Sequence, residues 1–270
     1  MKKKNTEKDG SFLSSFKNVF SFFFLLGRKS KKTKVFYILS FIPVIMALIV
    51  KFGQVFASRS SLTGIYVFSN FIMTFYLQFI ILILALFFGT SVCSEELEGR
   101  TLPYLTTRPV SKASFILGKY AAYTLLIVAM TVVGVILCFF ILNFDQLGDL
   151  SLYKILFRDT AVLVLGLVCY TSLFTFIGTF IKRSIMFGLI FSFGWENVIQ
   201  YFPGSTQRFA IVHYLKSMLP SPSSGRFSFL LFRLEPTPPF LAVIILILIT
   251  AAFLGLACAV FNFKEYILEE

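Results

Sequence analysis

The chain has one histidine, His213, and four cysteines, none of them in a C-x-x-C pair. Cys93, Cys138, Cys169 and Cys258 each fall in or beside an apolar stretch. A disulfide framework and a structural zinc site are therefore not expected, and no metal ligands are assigned. A G-x-x-x-x-G-K-[ST] run is also missing. Gly27-Arg28-Lys29-Ser30 has the wrong spacing, so the chain lacks the loop that cradles nucleotide phosphates. Neither a G-x-S-x-G elbow nor an H-E-x-x-H pair occurs. No catalytic residue is assigned, and no cofactor is expected on this chain. Nor is there a repeat with a period of about 20–50 residues. Charge is scarce, at 14% of residues.

What the chain has instead is apolar surface. Apolar residues make up 57% of the sequence, mean hydropathy is +0.84, and 36 residues are phenylalanine. That is more than one soluble core of this size would bury. A span across a ~30 Å hydrocarbon layer takes ~20 mostly apolar residues. Such stretches run over Val35–Phe56, Tyr66–Cys93, Ser114–Leu142, Thr160–Ile181, Ser184–Phe202 and Phe240–Phe261. The expected fold is an all-α integral membrane protein with six transmembrane helices, residues 1–270 forming a single domain. The third stretch, at ~42 Å of helix, is expected to tilt or project beyond the bilayer.

Basic residues set the orientation. If the N-terminus is inside, seventeen of the 25 Lys and Arg lie on the inner side and eight on the outer. Both termini are thus expected in the cytoplasm of a multi-pass plasma (inner) membrane protein. Residues 1–34 hold ten bases against Glu7 and Asp9, which is +8 of the net +12. Anionic lipid of the inner leaflet accounts for that excess. With no folded basic domain, nucleic acid is not expected as a partner. The segment Ser11–Gly27 lacks a small-residue cleavage site. Its phenylalanines Phe12, Phe16, Phe20 and Phe23 recur at helical spacing opposite Ser11, Ser14, Ser15 and Asn18, which predicts an amphipathic helix in the membrane interface.

Between the second and third stretches lies a charged loop, residues 94–113, holding Glu95, Glu96, Glu98, Gly99, Arg100, Thr101, Arg108, Pro109 and Lys112. It is longer than chain reversal requires. Gly99 allows a tight reversal, and Pro109 holds Arg108 extended. Ser111 or Ser114 caps the next helix. The charges either pair with one another and with lipid headgroups or dock a partner protein. A second loop, residues 203–239, carries six of the nine prolines. Its stretch Thr206–Leu219 is expected as a short amphipathic helix flat on the outer surface. Glu196 lies deep in the fifth stretch, where an ionisable group is costly. It is a substrate-path or gating group, a structural hydrogen-bonding group to a neighbouring helix, or a group just reaching the outer interface beside Asn197 and Gln200.

The run Glu95-Glu96-Leu97-Glu98-Gly99-Arg100-Thr101-Leu102, followed by Arg108-Pro109-Val110-Ser111 and Gly118-Lys119-Tyr120, resembles the signature of type-2 ATP-binding-cassette (ABC) permeases. The six-stretch layout extends the resemblance over the chain. The resemblance implies a permease subunit with no ATPase activity of its own. ATP and Mg would be bound by a separate ABC ATPase subunit, into which the 94–113 loop docks as a coupling element. It further implies a second permease copy, identical or paralogous, and transport in the direction of export. Two other readings stand beside it: a non-transport scaffold or signalling subunit driven by the same kind of ATPase, and an ion-coupled secondary transporter. The second fits less well, since Glu196 is nearly alone at mid-depth.

Overall fold

The computed structural model describes residues 2–56, 63–98, 111–146, 148–181, 183–199, 205–219 and 237–263, with side chains from Phe12 onward except Val55, residues 96–98 and Ser205. Among the described residues every regular element is a helix. They are α1 (Lys2–Lys29), α2 (Lys31–Ser40), α3 (Ile42–Phe56), α4 (residues 64–98), α5 (Lys112–Leu142), α6 (Leu150–Phe180), α7 (Ser184–Ile199), α8 (Ile211–Met218) and α9 (Pro239–Phe263). Short 3-10 turns lie at Phe144–Gln146 and Ser205–Phe209.

Among the described residues, five stretches are long and apolar enough to cross a bilayer: Lys31–Gln54, Gly64–Glu95, Lys112–Leu142, Leu150–Phe180 and Pro239–Phe263. They hold 24 to 32 residues, or ~36–48 Å of helix against a ~30 Å hydrocarbon layer. The predicted fifth span, Ser184–Phe202, is described only as far as Ile199. The described helix Ser184–Ile199 has 16 residues, or ~24 Å, and contains a π turn at Phe191–Glu196. The predicted fourth span starts too late. Its helix begins at Leu150, because the Asp149 carboxylate accepts from the Ser151 N–H at 2.9 Å and caps it. Lys154 and Arg158, two of the eight bases counted on the outer side, are on this helix.

The central helices are α4 and α6. Their apolar windows are 61% and 67% buried, against 11% in α9, so α9 packs at the edge of the bundle. Two glycines bring α4 and α6 together. A Cβ at Gly178 would stand 2.6 Å from the Thr90 carbonyl oxygen, and one at Gly89 would stand 2.9 Å from that of Thr171. Close backbone approach of this kind is how membrane helices gain packing energy where water does not drive them together.

Helix α1 is longer than the predicted amphipathic segment, and it follows α5. The Ser114 hydroxyl donates to the Phe12 carbonyl at 3.2 Å, Val19 lies over Gly118, and Leu126 lies beside Gly27. The two helices therefore run side by side in one direction from Ser114 to Leu126. Phe22, Leu25 and Leu26 remain exposed on the other side of α1.

Pro43 interrupts the path from α2 to α3 by removing a donor. The Val44 N–H turns to the Phe41 carbonyl at 3.0 Å. The Ser40 carbonyl is left to the Tyr76 hydroxyl, which donates to it at 3.2 Å from a π turn of α4. A buried tyrosine thus satisfies the backbone group that the kink exposes.

Candidate functional site

At the loop end of α4, Phe87, Ser91 and Glu95 lie at i, i+4 and i+8 on one face. The Lys32 ammonium donates to all three: to the Phe87 carbonyl at 3.0 Å, the Ser91 hydroxyl at 2.6 Å and Glu95 Oε1 at 3.1 Å. The second carboxylate oxygen, Oε2, accepts from the Tyr123 hydroxyl at 3.1 Å and lies 3.6 Å from Lys119 Nζ. Glu95 therefore joins α2, α4 and α5. Its side chain is 43% exposed, while that of Lys119 is fully buried.

Lys119, near the start of the predicted third span, was counted with the bases of the inner aqueous side. It instead lies among aromatic rings, its Nζ being 4.8 Å from the Phe23 centroid, 5.5 Å from Tyr123 and 5.9 Å from Phe115. Ring faces and the Glu95 carboxylate stabilise the buried ammonium in place of water. Phe23 belongs to α1, so the same cation holds the N-terminal helix against α5.

The remaining coupling-loop residues divide. Glu96 and Glu98 continue the backbone of α4. Gly99, Arg100, Thr101, Arg108 and Pro109 lie outside the described residues. Lys112 opens α5, and its ammonium donates to the Asn262 carbonyl at the end of α9, at 3.4 Å. Ser111 is the residue that caps α5, accepting from the Ser114 N–H at 3.2 Å. Glu95 and Lys112 are thus tied to their own bundle.

A second polar centre lies at mid-depth. Glu196 is 1% exposed. Its Oε1 accepts from the Ile211 N–H at 3.1 Å. Its Oε2 accepts from the Tyr170 hydroxyl at 3.0 Å and from the Val212 N–H at 3.3 Å. The carboxylate therefore takes up the first amides of α8, which have no partner within the helix, and meets the positive end of its dipole.

Helix α8 does not lie flat on the surface, as its amphipathic pattern predicted. Ile211, Val212, His213 and Leu215 are buried, and Leu215 packs on Gly166 and into the neighbourhood of Ile81, near the middle of α6 and of α4. The apolar face that would have rested on lipid is covered by protein instead. The Thr237 hydroxyl lies 3.1 Å from His213 Nε2, and the Thr237 N–H donates to Ser217 at 3.3 Å, which joins α8 to the start of α9.

Sequence reasoning missed Lys32, Tyr123 and Tyr170. Lys32 was one base in a run of ten, and the tyrosines were lone polar tips in apolar stretches. Glu95 itself and the Gly118-Lys119-Tyr120 motif were the signals that pointed at the first cluster, and Glu196 at the second. None of the four cysteines forms a disulfide. Among the described residues, no group of histidine, cysteine or acid side chains is arranged to hold a metal ion.

No curated protein matches the chain. Residues 28–195 match a family described as ABC-2 family transporter protein. The match covers α2 to α7 almost entire, and with it the Glu95 cluster. This six-tenths of the sequence, together with its long apolar helices, places the chain in the ABC-2 transporter family as a membrane-embedded permease.

Proposed function

We propose that the chain is the permease subunit of an ABC exporter of the plasma (inner) membrane, working with a separate ABC ATPase subunit and a second permease copy. The family match over residues 28–195 carries this reading. ATP and Mg belong to the ATPase. The 94–113 loop is its docking element, with Glu96, Glu98, Gly99, Arg100, Thr101, Arg108 and Pro109 on the docking face. Charge pairs suit such a surface because they fix register and partner choice.

The chain crosses the membrane six times in this reading, with both termini in the cytoplasm. Two contacts support it. Lys51 at the end of α3 pairs with Asp145 beyond the end of α5, whereas Lys112 at the start of α5 meets Asn262 at the end of α9. The fifth crossing is then composite, made of α7 and the segment through α8.

Glu95 transmits the motion. A displacement of the loop acts directly on α4, and through Lys32, Lys119 and Tyr123 on α2 and α5. Glu196 serves the gate indirectly, by holding α8 as the outer closure of the pathway.

Two measurements test this. The ATPase is recovered by pull-down from detergent extract, and ATP turnover is followed in reconstituted vesicles. Reversing a docked charge commonly costs ~2–5 kcal/mol where the site is desolvated, and much less at an exposed rim. Glu96→Lys and Glu98→Lys are expected to weaken ATPase binding or uncouple turnover from transport, with membrane insertion unchanged. Wild-type binding and coupled turnover in both variants would reduce the loop to a solvated turn.

A further inference from the structure

Helix α4 carries no charged residue from Gly64 to Ser94, yet its first half is not uniformly apolar. Asn70, Thr74 and Gln78 recur at every fourth position. Two π turns, Phe68–Ile72 and Tyr76–Ile80, alternate with α segments over the same stretch. A π turn takes more residues than the 3.6 of an α turn, so the average here comes to about four. Residues four apart therefore fall on one line along the helix. All three polar side chains on that line are half-buried. A second line, Phe71, Phe75 and Phe79, runs beside it, with Phe71 41% and Phe79 40% exposed. The bundle thus leaves this face of its own central helix open.

The polar line is short of partners. The Asn70 amide nitrogen donates to the Tyr66 carbonyl at 3.0 Å. The Thr74 hydroxyl and the Gln78 carboxamide make no hydrogen bond among the described residues. Gln78 lies at the middle of the span Gly64–Glu95, as far from water as this helix reaches. Hydrocarbon offers neither donor nor acceptor, so a carboxamide at that depth calls for a protein partner. Beside it, Phe79 stacks on Phe75 at 5.2 Å between centroids and meets Phe193 of α7 at 6.5 Å, which bounds the open face on the α7 side.

The chemistry of the line identifies the occupant. An amide, a hydroxyl and a carboxamide each carry donors as well as acceptors, so each can pair with another of its own kind. Two copies with the same orientation in the membrane, related by a two-fold axis along its normal, bring each residue to the depth of its counterpart. Such an interface is isologous, with one patch used twice. The absence of charge from this part of α4 means that no like charges meet at the axis.

We propose that α4 packs against α4 of a second, identical copy of this chain, with the two Gln78 carboxamides bonded to each other across the two-fold axis. Thr74 and Asn70 continue the seam towards the start of α4, and the phenylalanine line closes its edge. The proposal rests on the second-copy reading above and names the face that the copies share.

The test uses the full chain in native membranes, with two differently tagged copies co-expressed. Single cysteines are introduced by Thr74→Cys, Gln78→Cys and, on exposed faces of α3 and α5, Ile49→Cys and Val133→Cys. Oxidation should join the two tags in T74C and Q78C, and not in I49C, V133C or the parent chain with its own four cysteines. Gln78→Leu should weaken dimerisation about three- to tenfold, measured by dilution in detergent, and Gln78→Asn should restore most of it. Gln78 makes no bond within the described residues, so Q78L should keep the unfolding temperature of the monomer. Cross-linking at Ile49 or Val133 in place of Gln78, or an unchanged dimer in Q78L, would overturn the proposed face while the second-copy reading stands. A Q78C product containing a different protein would make the partner a paralogue and overturn the identical copy. Tagged copies that never co-purify would remove the proposal together with an identical second copy. The ATPase takes no part in these measurements, so its docking is judged separately.

Discussion

The Tyr170 hydroxyl lies 3.0 Å from Glu196 Oε2, and neither side chain has more than 1% of its surface exposed. The pair joins the middle of α6 to the end of α7. The same carboxylate holds the first amides of α8, so one side chain fixes three helices. Insertion of a short helix between the long ones is possible because its amide end is met by this carboxylate.

Glu196→Gln should destabilise the bundle by ~1–3 kcal/mol, because one oxygen becomes an NH2 that faces N–H and O–H donors. Tyr170→Phe should cost less, since the two amide bonds to Glu196 remain. Thermal unfolding in detergent should rank wild type above Y170F and Y170F above E196Q. A cysteine placed at Val212 should react faster with an aqueous thiol reagent in E196Q.

Glu95→Gln should lower stability by ~1–3 kcal/mol. That is less than the 3–5 kcal/mol of a fully buried pair, because Glu95 reaches water. Lys119→Met removes the buried cation that Glu95 compensates. The double variant should therefore be more stable than the sum of the single losses predicts, and a double-mutant cycle in detergent measures the difference.

Gly178→Val and Gly89→Val should each force α4 and α6 apart. The added atoms would fall within 3 Å of backbone carbonyls on the partner helix, and overpacking of this sort costs ~1–3 kcal/mol or more. Reduced yield of folded protein and a lower unfolding temperature are expected from both. Gly255→Val, on α9 with nothing within 4 Å, should leave both unchanged.

The sequence alone determined that the chain is helical and apolar enough to span a membrane. It also marked the Glu95–Ser111 region as the charged interruption between two spans. These features rest on local chemistry, since runs of ~20 apolar residues and clustered charges read the same in any tertiary setting. The Gly118-Lys119-Tyr120 motif was legible too, but only as the entry to the third span. That Lys119 turns inward depends on Phe23, nearly a hundred residues earlier, arriving beside it. Glu196 illustrates the same limit. Its cost in an apolar stretch was visible, but the amides of Ile211 and Val212 that meet it come from a segment whose own pattern suggested a surface helix. Amphipathicity states that one face of α8 is apolar; only the packed structure decides whether lipid or the middle of α4 and α6 covers that face. The start of α6 at Leu150 likewise followed from a cap at Asp149, whereas hydropathy located only the apolar part of the helix, from Thr160. Local composition fixes which segments avoid water, and the pairing of distant polar groups fixes how those segments meet, because each buried charge must find its partner in three dimensions.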